Sequence, residues 1–395
     1  MPSVAVILAG AMAARTNEAA LEILDQAIAV RRTQVPLEPP CPAAGPPPVN
    51  VHTEWDPLEE VIVGSIDHAL APDWHISLAA IAPANTREFW QRTSGRPFPS
   101  EIVDRARTEL ESLAEFFVRE GIVVRRPTFS GPNVPFTTPC FTSSGSFHVA
   151  MPRDAMLAVG DAIIETPMAW RNRYFETFPF REILKDYFRR GARWWAGPKP
   201  MLSDDLYRRD HDVDAATFQS VITEFEPVFD AADFIRVGPD LIGQLSHVTN
   251  RSGVEWLRRA LGPEYRVHVY EFDDATPMHI DTTIVPLAPG KVIVNPEWAE
   301  RVPDFFRDWE VLTPPPPASS TLPLWMSSAW LSINTLMLDP HRILVEAHEA
   351  PLIAALRGWG FEPVPLPFRN FQAFGGSFHC ATLDVRRAGT RVSYA

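Results

Sequence analysis

The chain has 395 residues, 46% apolar and 22% charged, a composition that fits a folded globular protein and excludes a disordered chain or a coiled coil. Its 49 acidic and 36 basic residues leave a net charge of −13, which argues against nucleic-acid and anionic-membrane partners and suits cationic or zwitterionic small molecules. Three cysteines build no disulfide framework, which favours a reducing compartment and leaves each free for chemistry.

Residues 1–35, with the apolar start VAVILAGAMAA, read as an N-terminal helical extension. No basic residue precedes the apolar run and acidic Glu18, Glu22 and Asp25 follow it, unlike a secretory leader. No stretch reaches the roughly 18 to 20 apolar residues of a bilayer span, so the expectation is a soluble, cytoplasmic protein. Residues 36–50, PLEPPCPAAGPPPVN, form a proline-rich linker in which neither helix nor central strand propagates; Cys41 within it is incidental.

From residue 51 to residue 395 one local pattern returns. An apolar run, a Gly or Asp-Pro turn and a second apolar run make a β-hairpin, at Gly160, Gly238, Gly290 and Asp339. After the last three come helix-like segments and one more strand: SGVEWLRRALG then YRVHVYEF, PEWAERVPDFFRD then WEVLTP, and APLIAALRGWG then FEPVPLPF. An earlier copy runs from LEEVIVG through EIVDRARTELESLAEFFVREG to IVVRRP. Repeated about five times, this ββαβ unit of roughly 70 residues buries its sheets only against neighbours, so the expected architecture is an α/β ring with side chains projecting into a central channel.

Three stretches bring reactive groups toward that channel. In PMHIDTT, His279 and Asp281 are two apart, so on a strand both face one side. In GGSFHCATLDV, Cys380 is expected on a strand after the Gly-Gly bend, facing away from His379. Asp230 ends a proline-broken run before the hairpin at Gly238. No HExxH, GxGxxG or GxxxxGK[ST] occurs, and no His or Cys cluster has ligand spacing, so the reading is chemistry without metal or cofactor. A cysteine, a histidine and two carboxylates suit covalent catalysis at an electrophilic carbon, with His carrying the proton and one acid orienting it. Carboxylates in place of an oxyanion hole imply a cationic substrate, a guanidinium above all. Taken singly, a buried cysteine is more often an inert small hydrophobe, and a histidine beside an acid more often structural.

The stretches EWDPLEEVIVG (54–64), AMPRD (150–154), PMAWRNRYFE (167–176), FDAADFIR (229–236), VTNRSGVEWLRR (248–259), PMHIDTT (277–283), PLWMSSAWLS (323–332) and GGSFHCATLDVRR (375–387) resemble, in order, the arginine:glycine amidinotransferase family of guanidine-modifying enzymes. The resemblance implies a five-bladed α/β-propeller over residues 51–395. It implies that Cys380 attacks the amidine carbon, that His279 protonates the leaving amine and later deprotonates the incoming one, and that Asp230 pairs with His279. Asp281 would bind substrate, Ser327 and Ser328 would contact its amino-acid end, and Met278 would sit where acceptor choice is tuned. No cofactor is implied. The partners implied are a small-molecule donor, an amine acceptor that is free or carrier-bound, and a second copy in a homodimer.

Two positions depart from the family. A guanidinium-gripping aspartate in a TPDF-like stretch falls on Cys140, a loss of about 1.5–3 kcal/mol of charge-assisted bonding, and an arginine for the substrate carboxylate falls on Trp298. The leading expectation is amidino transfer from L-arginine to a primary amine in natural-product biosynthesis. The rival is a cysteine-dependent acyl transferase acting on a substrate such as a carrier-bound thioester, for which a neutral Cys140 is no handicap. A non-catalytic scaffold has no use for the Cys, His and Asp set.

Overall fold

Five three-stranded sheets repeat one connection pattern. The structure is a computed structural model that describes residues 45–318 and 329–394; the expected extension of residues 1–35, most of the 36–50 linker, Cys41, Ser327 and Ser328 lie outside the described residues. In the first unit, β1 (Leu58–Val63) is followed by helix α1 (Ser100–Arg119) and by β2 (Val123–Arg125), parallel to β1. The second unit is the hairpin β3 (Met156–Val159) and β4 (Ala162–Glu165), helix α2 (Arg181–Arg189) and parallel β5 (Arg193–Ala196). The third is β6 (Phe234–Val237), β7 (Asp240–Gln244), α3 (Arg251–Leu261) and β8 (Arg266–Tyr270).

The fourth unit holds β9 (Ile284–Ala288), β10 (Lys291–Val294) and β11 (Glu310–Leu312). The fifth holds β12 (Leu336–Met337), β13 (Arg342–Glu346), helix α4 (Ala350–Gly358) and β14 (Glu362–Leu366). The last strand, β15 (Thr382–Arg387), returns to pair antiparallel with β1 and completes the first sheet. Helices and mixed sheets in alternation make the fold α/β.

Local chemistry explains these elements. Helix α1 keeps Ala106, Leu110, Leu113, Ala114 and Phe117 on one buried face, spaced for a 3.6-residue period; full burial of each large side chain contributes about 1.5–3 kcal/mol. Helix α3 is capped by Asn250, whose side-chain oxygen accepts the Gly253 N–H at 2.8 Å. The β6–β7 turn requires Gly238, which sits at φ +72, where an added Cβ would lie 1.9 Å from the Val392 carbonyl oxygen. The expected helix in PEWAERVPDFFRD does not form: only the short 3-10 turn Asp304–Phe306 is present. Pro303 interrupts the segment and removes the backbone donor that a continuous helix needs there.

Between the first three units lies a set of buried charges. Arg236, on β6, donates to Glu54 at 2.8 and 2.6 Å and to Asp384, on β15, at 2.8 Å. Asp384 also accepts from Arg153 at 2.7 Å and from Arg387 at 2.5 Å. Each of these side chains is almost fully enclosed, so removing one member leaves an uncompensated charge at a cost of about 3–5 kcal/mol.

Candidate active site

Cys380 lines a cavity of about 350 Å³ together with His279, Asp281, Met278, Thr276, Asp274, Trp298, Leu331 and Arg87. The cysteine is in a turn rather than on a strand, two residues before β15. Gly376 makes that turn possible: a Cβ there would meet the Cys380 Cβ at 2.7 Å and the Met151 sulfur at 2.6 Å. Arg153 holds the turn from below by donating to the carbonyls of His379 at 2.7 Å and Thr382 at 3.0 Å.

His279 likewise lies off any strand. It precedes the 3-10 turn Ile280–Thr282, which Asn295 secures by donating to the Thr282 carbonyl at 3.0 Å. Its Nε2 is 3.2 Å from an oxygen of Asp230, and its Nδ1 is 3.6 Å from Asp154 Oδ1. One side-chain oxygen, nitrogen or sulfur atom each of Asp154, His279 and Cys380 lies within 4.8 Å of the other two. Arg173, 3% exposed, pairs with Asp154 at 3.0 Å, Asp230 at 3.4 Å and Glu176 at 2.5 Å.

The turn also reverses the expected orientation of its own side chains. His379 and Cys380 were expected to face apart, yet both reach Asp281 Oδ2, His379 Nδ1 at 2.7 Å and the thiol at 3.3 Å. A tight turn does not alternate its side chains as a strand does. The other ring nitrogen of His379 is 3.3 Å from Glu54, so the imidazole bridges the cavity and the buried charges beneath it.

Three carboxylate oxygens are left without a hydrogen-bond donor among the described residues: Asp154 Oδ1, Asp230 Oδ1 and Asp281 Oδ1, all buried. Buried acceptors of this kind are costly unless something completes them, and a planar cation with several N–H groups would do so. Burial opposes a charge on the His279 ring, yet Asp154, Asp230 and the Cys380 thiol outweigh it and raise its pKa well above 6.5. Burial and the adjacent Asp281 carboxylate push the Cys380 thiol up to about 12 against the opposing influence of His279. Because only the thiolate is nucleophilic, alkylation of Cys380 by iodoacetamide is expected to climb roughly tenfold per pH unit from pH 7 to 10. A plateau near pH 8.5, measured by intact mass, would contradict this environment.

The structure therefore brings Cys380, His279, Asp230, Asp281 and Met278 to one place, with Trp298 on the cavity wall. Cys140 is elsewhere: it lies in the loop joining the short strands Phe136–Thr137 and Thr142–Ser143, half-buried, with its N–H on the Thr138 hydroxyl at 3.3 Å, and it does not line the cavity. The carboxylate beside His279 and Cys380 is Asp154, which the sequence does not single out, nor Arg173 or Glu54, while His379 is expected only to face away. Asp154 and Arg173 lie within the quoted AMPRD and PMAWRNRYFE stretches, and His379 precedes Cys380, but none stands out by spacing alone.

No protein-family model matches the chain. It is 49% identical over 350 residues to the L-arginine:L-lysine amidinotransferase of Pseudomonas savastanoi pv. phaseolicola, covering 88% of this chain and 96% of that relative. It is 44% identical over 376 residues to the mitochondrial glycine amidinotransferase of Danio rerio, covering 91% and 89% respectively. Among solved structures, an amidinotransferase of the saxitoxin biosynthetic pathway from Microseira wollei superposes with a TM-score of 0.85 at 44% identity, over 88% of this chain and 100% of that one.

Proposed function

Because the chain belongs to the amidinotransferase family, we propose that it moves the amidino group of L-arginine to a primary amine by way of an amidino group held on Cys380. The observation that carries this reading is the meeting of thiol, imidazole and Asp281 at one cavity, with Asp154 and Asp230 against the imidazole and each of the three carboxylates incompletely bonded. The guanidinium enters between Asp154 and Asp281, and its charge offsets theirs, so the thiol releases its proton to solvent and stands as the thiolate. The sulfur bonds to the central carbon of the guanidinium. As the carbon–Nδ bond breaks, the imidazolium of His279 gives its proton to the departing nitrogen, and ornithine leaves. The acceptor amine then attacks the amidino carbon, neutral His279 takes its proton, the carbon–sulfur bond breaks and the thiolate returns. The two half-reactions give ping-pong kinetics.

Asp230 and Arg173 keep the imidazole and Asp154 in place. Trp298 stands where an arginine was expected to meet the substrate carboxylate, and among the described cavity residues Arg87 is the arginine that can take that role. It already donates to Asp214 at 2.8 Å and to the Val213 carbonyl at 2.8 Å, and its remaining N–H groups serve the carboxylate. The similarity to an arginine:lysine enzyme and to a saxitoxin-pathway enzyme supports an acceptor from specialised metabolism. The five sheets, with β15 fastening the first, are read as blades of one closed propeller with the cavity at its axis.

Incubation with guanidino-labelled L-arginine and no acceptor is expected to leave label on the Cys380 peptide and release one equivalent of ornithine, with Cys380→Ala as the blank. An unlabelled cysteine together with no ornithine for any amine would overturn the reading. Loading of Cys380 by an acyl thioester in its place would favour an acyl transferase.

A further inference from the structure

Among the described residues, the sulfur of Cys380 has one neutral side-chain donor within hydrogen-bond distance, and the amidino-transfer reading above does not use it. Asn334 lies just after the 3-10 run Ala329–Ile333 and two residues before β12, with 0% of its surface exposed. Its amide oxygen accepts the backbone N–H of Ser377 at 3.0 Å and of Cys380 at 3.2 Å. Those two donors settle which end of the amide is oxygen, since a flipped group would set N–H against N–H. The amide nitrogen is thereby aimed at Cys380 Sγ, 3.3 Å away.

The charges around the sulfur make such a donor consequential. Asp281 Oδ2 is 3.3 Å from Sγ, which stabilises the protonated thiol and opposes the thiolate. Asp154 adds negative charge nearby. His279 is the protonated group within 4.8 Å of the sulfur, and it gives up its proton when the leaving amine departs. In the amidino-cysteine that follows, the sulfur is covalently bonded; when the acceptor's attack breaks the carbon–sulfur bond, the sulfur departs as a thiolate and again needs a donor. A fixed amide N–H supplies a donor at every stage, at no cost in reorganisation when the charge appears.

We propose that Asn334 is a catalytic residue that donates to Cys380 Sγ, stabilising the thiolate both as nucleophile and as leaving group. The proposal rests on the covalent role given to Cys380. A merely structural role for Asn334, pinning the 377–380 turn through its oxygen, makes a different prediction, and two variants separate them. Asn334→Asp keeps an acceptor for the two backbone N–H groups and removes the donor; Asn334→Ala removes both.

The full-length protein is treated with iodoacetamide across pH 6 to 10, followed by intact mass, and the arginine half-reaction is followed in single turnovers. Both variants are expected to alkylate about 10- to 100-fold more slowly than wild type at pH 8, the effect of one lost hydrogen bond to a charged group. Their alkylation profiles should shift upward by about one to two pH units, and amidino loading should slow by a similar factor with half-saturation by arginine changed less than about threefold. An Asn334→Asp protein that keeps the wild-type alkylation profile would overturn the proposal, whether or not turnover falls. Should Asn334→Ala fail to fold, Asn334→Asp still decides the matter, because its turn anchor is retained. The alkylation arm uses no arginine, so it stands apart from failure of the amidino-transfer reading, which would show as an unlabelled Cys380 in the wild-type protein.

Discussion

Glutamine in place of His279 is expected to lower amidino transfer from L-arginine by about 10²- to 10⁴-fold, the span typical of a lost general acid–base group. The ring lies between Asp230 and Asp154 at 3.2 and 3.6 Å, and these carboxylates raise its pKa well above 6.5 against the pull of burial. It therefore stays protonated through neutral pH and has a proton to give when ornithine leaves. Loss of that proton should matter most for a strongly basic leaving amine. An S-alkylisothiourea donor, whose thiolate needs no proton to depart, is expected to recover at least about tenfold of the deficit. Equal losses with both donors, read as initial rates of amidino loading on Cys380, would show that His279 acts through the fold and not through its proton.

Asparagine at position 154 is expected to reduce kcat/KM for arginine by about 10- to 150-fold, corresponding to about 1.5–3 kcal/mol for one charge-assisted hydrogen bond. Cys140→Asp, by contrast, is expected to change it by less than about threefold, as for a substitution away from the site. The sequence alone pointed the other way, placing the missing guanidinium carboxylate at Cys140. Geometry decides otherwise. Asp154 is within 4.8 Å of both His279 and Cys380 and has an oxygen without a donor, whereas Cys140 is held in the 136–143 loop by Thr138. A large gain in arginine turnover from Cys140→Asp, with Asp154→Asn unaffected, would reverse this assignment.

What could be read without coordinates followed from spacing. Turns at Gly160, Gly238, Gly290 and Asp339 between apolar runs mark the hairpins, and the segments after Gly238 and Asp339 mark α3 and α4. The segment after Gly290 misled because its apolar residues have helical spacing, while Pro303 prevents the backbone from following them. The α2 segment, Arg181–Arg189, was passed over because it is rich in charge and its buried face is only Ile183, Leu184 and Tyr187. At the cavity, alternation along a strand put His279 with Asp281 and set Cys380 against His379. Both segments are turns, where periodicity carries no information about direction. Asp154, Arg173 and Asn334 come from segments far apart in the chain, and nothing in the spacing of one residue type announces a contact of that kind.

The pairing of β15 with β1 has a consequence for synthesis. Cys380 precedes β15 by two residues, so the first sheet lacks a strand until synthesis has passed residue 387. Contacts this distant in sequence form late, after nearer ones have closed. A chain stopped before residue 380 would thus lack both a strand of the first sheet and the sulfur that lines the cavity.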